Sequence, residues 1–140
     1  MKYLLDVNVL VALTQSEHVH YLTVTRWFDS QAHDWGLCAF SEAGFLRTSI
    51  NPNVGNLTVS DATQILAGLA ERPGYRYWPI NESWISLVEP FRERIYGHQQ
   101  VADAFVLGLA VQANGVLVTL DKAFRHLAGP RYNKHLLVLE

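Results

Sequence analysis

The chain reads as an α/β sandwich, with helices packed on a central, mainly parallel sheet of about five strands. Short apolar runs rich in β-branched residues alternate with longer segments of helical periodicity, the pattern of strand–helix–strand units. Turn-forming clusters such as Asn51-Pro52-Asn53 and Pro73-Gly74 punctuate them. The length of 140 residues, 49% hydrophobic and 17% charged, suits one compact domain, residues 1–140, with a real core. No linker, low-complexity stretch or internal repeat divides it.

In chain order, Lys2 to Asp6 reads as a short buried strand and Asn8 to Thr14 as a helix opening directly after it. Glu17 to Ser30 has Tyr21, Val24, Trp27 and Phe28 on one helical stripe. Trp35 to Cys38 is a second strand, and Ser41 is a plausible N-cap for a helix through Ile50. Thr58 caps the next helix, with Val59, Ala62, Leu66 and Leu69 inward. Tyr75 to Ile80 follows as a strand, which Pro79 confines to an edge or to the strand's end. Asn81 is a cap for a helix bearing Trp84, Leu87, Val88, Phe91 and Ile95, in which Pro90 forces a kink or a split. Gln99 to Asn114 is a strongly apolar helix stopped at Gly115. Val116 to Leu120 is a buried strand ending at Asp121, and His135 to Leu139 is the last strand.

The composition excludes several classes. No apolar run approaches the length of a membrane span, and Asp6 and Asn8 interrupt the apolar N-terminus where a signal peptide would continue. The single cysteine, Cys38, forms no internal disulfide and fits a reducing cytoplasm as a small buried hydrophobe. The net charge of −2 argues against a long basic stripe gripping nucleic acid. If RNA is handled, attraction must come from a bound cation and a few local arginines.

The acids are placed unevenly. Asp6 and Asp121 close two strands, and Glu42 falls in the first turn of the helix after the second strand. All three mark the edge of the sheet where parallel α/β folds bind ligands. Asp103 is the most informative. Between Val101 and Val111 every other residue is apolar or glycine, and no Lys or Arg lies on that helix. Burying an unpaired carboxylate there costs several kcal/mol, on the order of 3 to 5, so a cation is needed. Oxygen ligands without lysine, cysteine or histidine suit Mg²⁺ or Mn²⁺. Such a site activates water for attack on a phosphodiester. Asn8, Ser41 and Thr119 stand beside the acids in sequence as hydrogen-bonding supports. Taken singly, each acid has an equal claim to be a helix cap or a complement to a helix dipole.

The pattern resembles the PIN-domain family, and within it the VapC toxins of bacterial toxin–antitoxin pairs. The matching segments are Leu4-Leu5-Asp6-Val7-Asn8, His18-Val19-His20 leading into Arg26-Trp27-Phe28, Ser41-Glu42-Ala43-Gly44-Phe45-Leu46-Arg47, Val101-Ala102-Asp103-Ala104, and Val118-Thr119-Leu120-Asp121-Lys122-Ala123-Phe124. The resemblance implies a PIN-like α/β/α sandwich and an endoribonuclease requiring Mg²⁺ or Mn²⁺. It also implies homodimerisation and a cognate VapB-like antitoxin. Asp6, Glu42, Asp103 and Asp121 would be its acidic quartet, with Asp6, Asp103 and Asp121 on the metal and Glu42 orienting or deprotonating the attacking water.

Arg47 is a candidate phosphate contact and His98 a candidate substrate contact, although each has an equally plain surface role. His18 and His20 lie two apart, a poor spacing for a shared metal on a helix, and read as structural, in capping. Two other functions stay open. Mg²⁺-dependent phosphoryl transfer, or a receiver-like domain, would use a strand-end Asp as acceptor with Lys122 nearby. A non-catalytic binding module would use the four tryptophans and the apolar surface.

Overall fold

In the computed structural model, which describes residues 1–140, four parallel strands form one sheet. They are β1 (Tyr3–Leu5), β2 (Trp35–Gly36), β3 (Val116–Thr119) and β4 (Leu136–Val138), in the spatial order β2-β1-β3-β4. Parallel strands need crossovers, and helices supply them. The first set is α1 (Val7–Thr14), α2 (Tyr21–Gln31), α3 (Ala39–Ile50) and α4 (Val59–Ala70). The second set is α5 (Trp84–Val88), α6 (Gln100–Gln112) and α7 (Phe124–Tyr132).

Alternation along the strands divides the core between two faces. Leu5 and Val118 pack with Val9, Leu10, Val24, Phe28, Phe45 and Leu66 from α1 to α4. Their neighbours Leu4 and Leu117 turn the other way, onto Leu87, Phe91, Leu107, Phe124 and Leu127. Both faces of the sheet are therefore buried, as the unbroken apolar β1 and β3 require.

The sheet has four strands where about five were expected. The segment Tyr75 to Ile80 does run alongside β2, with Arg76 N–H donating to the Trp35 carbonyl at 2.8 Å and Trp78 N–H to the Leu37 carbonyl at 2.9 Å. It forms a single parallel bridge, Trp35 with Tyr75, and no regular ladder. The N–H groups of Arg76 and Trp78 face β2 and position 79 faces away, so Pro79 is accommodated there without loss of a pairing bond. The approach is close: a Cβ on Gly36 would lie 1.7 Å from the Arg76 carbonyl oxygen, which is why glycine stands there.

Several element ends also differ. Helix α2 starts at Tyr21; before it, His20 N–H donates to His18 Nδ1 at 3.0 Å in an exposed turn. The N-cap of α3 is Cys38 and not Ser41, which is buried inside the first turn with its hydroxyl 3.3 Å from Cys38 Sγ. Ser83, not Asn81, caps α5, its hydroxyl accepting from Ser86 N–H at 3.4 Å. The break expected at Pro90 occurs, as a 3-10 helix over Glu89–Arg94. At the end of α6 the left-handed position is taken by Asn114 (φ 54°), and Gly115 is needed instead because a Cβ would meet the Trp78 ring at 2.6 Å. Helix α7 has no counterpart among the expected elements. Gly129 (φ 61°) and Pro130 break it internally, so it carries no clean helical period.

Candidate active site

The centre of the site follows from two parallel strands ending side by side. Asp6 N–H donates to the Val118 carbonyl at 2.9 Å, which brings the residues after β1 and β3 together. The backbone of Asp6 is extended, and its Oδ1 accepts from Val7 N–H at 2.9 Å as the N-cap of α1. Its other oxygen, Oδ2, accepts the Thr119 hydroxyl at 2.7 Å. That hydroxyl is buried and has one proton, so toward its other neighbours it acts as acceptor. The Asn8 amide donates to it at 3.2 Å and Asp121 N–H at 3.1 Å. Asn8 Oδ1 accepts from Leu120 N–H at 3.0 Å, closing the network across the two strand ends. Asp121 turns its own carboxylate onto Ala123 N–H at 2.9 Å, a local turn that fixes its position.

Asp103 arrives from the first turn of α6, half-buried. Asp6, Asn8, Asp103 and Asp121 line one cleft of about 560 Å³, with His18 and Arg47 also on its wall. Burial is the main cause that raises the Asp6 carboxyl above the usual range, with a smaller push from Asp121; the bonds from Thr119 and Val7 oppose it. Burial likewise raises Asp103, to about 6, with Asp6 and Asp121 adding repulsion.

No side-chain cation relieves this. The ion pairs of the protein are Arg76–Asp34, Arg92–Glu89, Lys122–Glu140 and Arg125–Glu140, and none includes a cleft acid. Lys122, the residue a receiver-like site would use, is turned to Glu140 at 3.5 Å. Three carboxylates, with Asp6 and Asp103 raised in proton affinity, and the Asn8 amide oxygen nearby make a donor set that fits a hard divalent cation. The acids do not converge tightly enough for three side chains to hold one ion directly. Mg²⁺, which keeps several of its waters, suits such spacing.

The remaining residues singled out from the sequence are spread around this centre. Glu42 lies in the first turn of α3 outside the cleft lining; burial first, and the Glu42 charge second, push the Tyr75 hydroxyl pKa above its ordinary value. Ser41 contacts Cys38 rather than an acid. Arg47 lines the cleft, whereas His98 is exposed in the turn before α6. His18 lines the cleft although its sequence context suggested capping alone. Only the long-range fold joins it to Asp6, so spacing gave no signal. Phe40, also on the cleft wall, stacks on Phe105 of α6 with ring centroids 5.2 Å apart, tying α3 to the helix that bears Asp103.

The chain is also similar to known proteins. The PIN domain model matches residues 3–130. The chain is similar to Ribonuclease VapC38 of Mycobacterium tuberculosis, strain ATCC 25618 / H37Rv, with 38% identity over 131 residues covering 91% of each chain. It is similar also to Ribonuclease VapC39 of the same strain, with 35% identity over 126 residues, 88% of this chain and 91% of the relative. Ribonuclease VapC44 of that strain is 33% identical over 142 residues, spanning 99% of this chain and 100% of the relative.

Proposed function

The chain belongs to the PIN-domain family, and from that premise we propose that it is a Mg²⁺- or Mn²⁺-dependent endoribonuclease, the toxin of a type II VapBC toxin–antitoxin pair. The observation that carries this is the meeting of Asp6, Asp103 and Asp121 in one cleft with no paired cation. The names of the similar ribonucleases support the substrate class.

Asp6, Asp103 and Asp121 hold the metal, directly or through its waters. A divalent ion held there would supply an acidified water and charge neutralisation at the scissile phosphate. Thr119 and Asn8 keep the Asp6 carboxylate and the Asp121 backbone in register, so that the two strand ends do not spring apart. Glu42 orients or deprotonates the attacking water. Glu42 itself lies outside the lining, in the turn of α3 whose neighbours Phe40 and Ala43 line the cleft, and this role rests on the resemblance. Arg47 meets a phosphate at the cleft wall, and His98 touches the substrate as it approaches α6.

A VapB-like antitoxin is the expected inhibitor, and a homodimer the expected assembly. No helix is long and apolar enough to cross a membrane, and a cytoplasmic location follows from the proposed role. The test is direct. Purified protein should cut RNA with Mg²⁺ or Mn²⁺ and stop with EDTA; equal cutting by Asp6→Ala would remove the site from the reaction.

A further inference from the structure

A second concave surface lies between the 3-10 helix Glu89–Arg94 and α7. It is about 510 Å³ in volume, and its lining brings Arg92, Arg94 and Arg131 together with Tyr96 and Tyr132. In a chain of net charge −2 this is a local concentration of guanidinium groups. We propose that this surface binds the single-stranded RNA that runs to or from the acidic cleft, with Arg92 and Arg131 on phosphates and Tyr96 under a base.

The groups are suited to that ligand and are free to meet it. Guanidinium is planar and matches phosphate oxygens in pairs. Arg131 lies over the Tyr132 ring at 5.3 Å, which holds it in place without neutralising it. Arg92 is exposed and meets Glu89 only at 3.8 Å, with both side chains mostly open to solvent, so a phosphate can compete. Glu93 also lines the surface. The net positive charge is thus small, and binding depends on the individual arginines. Tyr96 is 75% exposed and leans on His126 with ring centroids 5.2 Å apart, an open aromatic platform of the kind bases stack on.

Arg94 serves a different purpose. Its Nη1 donates to the His126 carbonyl at 3.0 Å, and its guanidinium lies where a Cβ on Gly129 would stand, 2.7 to 2.9 Å away. It pins the two walls together.

The surface is joined to the catalytic acids by short pieces of chain. Tyr96 N–H donates to the Gln100 side chain, which opens α6 one turn before Asp103. His126, under Tyr96, sits on α7 just after Asp121. Tyr96 thus stands just before the helix that bears Asp103, and the end of α7 that bears Arg131 belongs to the helix that follows Asp121.

This inference rests on RNA as the substrate, and its test separates the two. Binding is measured with a labelled single-stranded RNA of mixed sequence, by fluorescence anisotropy, on the Asp103→Asn background so that cutting does not interfere. Arg92→Ala with Arg131→Ala should weaken binding about tenfold at moderate salt and reduce the slope of log affinity against log salt by about 1.4, two contacts at about 0.7 each. The paired Arg→Lys variant should keep most of the slope. Tyr96→Ala should weaken binding about tenfold, with the slope unchanged. Arg94 is left intact because its loss would part the walls. Unchanged affinity and slope in the double Ala variant, on a parent that does cut RNA, would overturn the inference alone. Unchanged RNA binding together with lost capture of the cognate antitoxin would overturn it in favour of a protein interface. A parent that neither cuts nor binds any RNA would instead overturn the proposed function.

Discussion

Replacing Asp103 by Asn removes one charge and keeps nearly the same shape, so it isolates the electrostatic cost of the cleft. The folded Asp103 carboxyl titrates at about 6 against an ordinary 3.8, because of burial first and of Asp6 and Asp121 second. The raised value means that the folded state prefers the protonated acid. Its stabilising contribution is therefore present below about pH 4 and is lost as pH rises through about 6. Near neutral pH the ionised group destabilises the metal-free protein. A shift of about two units corresponds to at most about 3 kcal/mol. Asp103 is only half-buried, and solvent screening reduces this to about 1 kcal/mol. In the absence of divalent metal, Asp103→Asn should thus unfold about 2 to 4 °C higher than the parent at pH 7.5, for a domain near this size. Acidification to about pH 4 should erase most of the difference. Saturating Mg²⁺ should stabilise the parent by about 2.7 kcal/mol at a hundredfold excess over Kd, and the variant by less. Differential scanning fluorimetry with EDTA or Mg²⁺ at both pH values reads all four states. A metal-free variant that unfolds below the parent would refute the idea that the cleft is held against its own repulsion.

Further outcomes follow from the same network. Thr119→Val deletes the proton that Asp6 accepts and leaves Asn8 and Asp121 N–H without an acceptor, so denaturant unfolding should show a loss of about 1 to 3 kcal/mol. Gly36→Ala drives a Cβ into the Arg76 carbonyl at 1.7 Å and should cost at least about 2 kcal/mol, read by the same method. Metal binding must displace the proton on Asp103, so calorimetry should find Mg²⁺ affinity flat above about pH 6 and falling with acidity below it.

Much of the site was legible because each acid leaves its own local mark. The runs Tyr3–Leu5 and Val116–Thr119 are apolar and continuous, as strands covered on both faces must be, and an Asp stands just past each. Asp103 is conspicuous as the one charge on an otherwise apolar helix. What stayed hidden depends on contacts between distant segments. His18 reaches the cleft only because α1 turns back on β3, and no spacing reports that. Tyr75 to Ile80 has the composition of a strand, yet β2 offers it only two residues, too short for a regular ladder. Helix α7 was masked by Gly129-Pro130, which break its period at the point where Arg94 packs. The basic surface was invisible in a net charge of −2, since charge counts do not show where arginines gather. Glu42 has a local mark as well, but it lies outside the cleft lining and its proposed role rests on resemblance.

The most direct measurement is to map new RNA 5′ ends in cells expressing the parent and, side by side, the Asp103→Asn variant at equal protein levels. Discrete new ends and growth arrest should accompany the parent alone. The same ends appearing with Asp103→Asn, or no new ends with either, would contradict cleavage at the Asp6, Asp103 and Asp121 cleft.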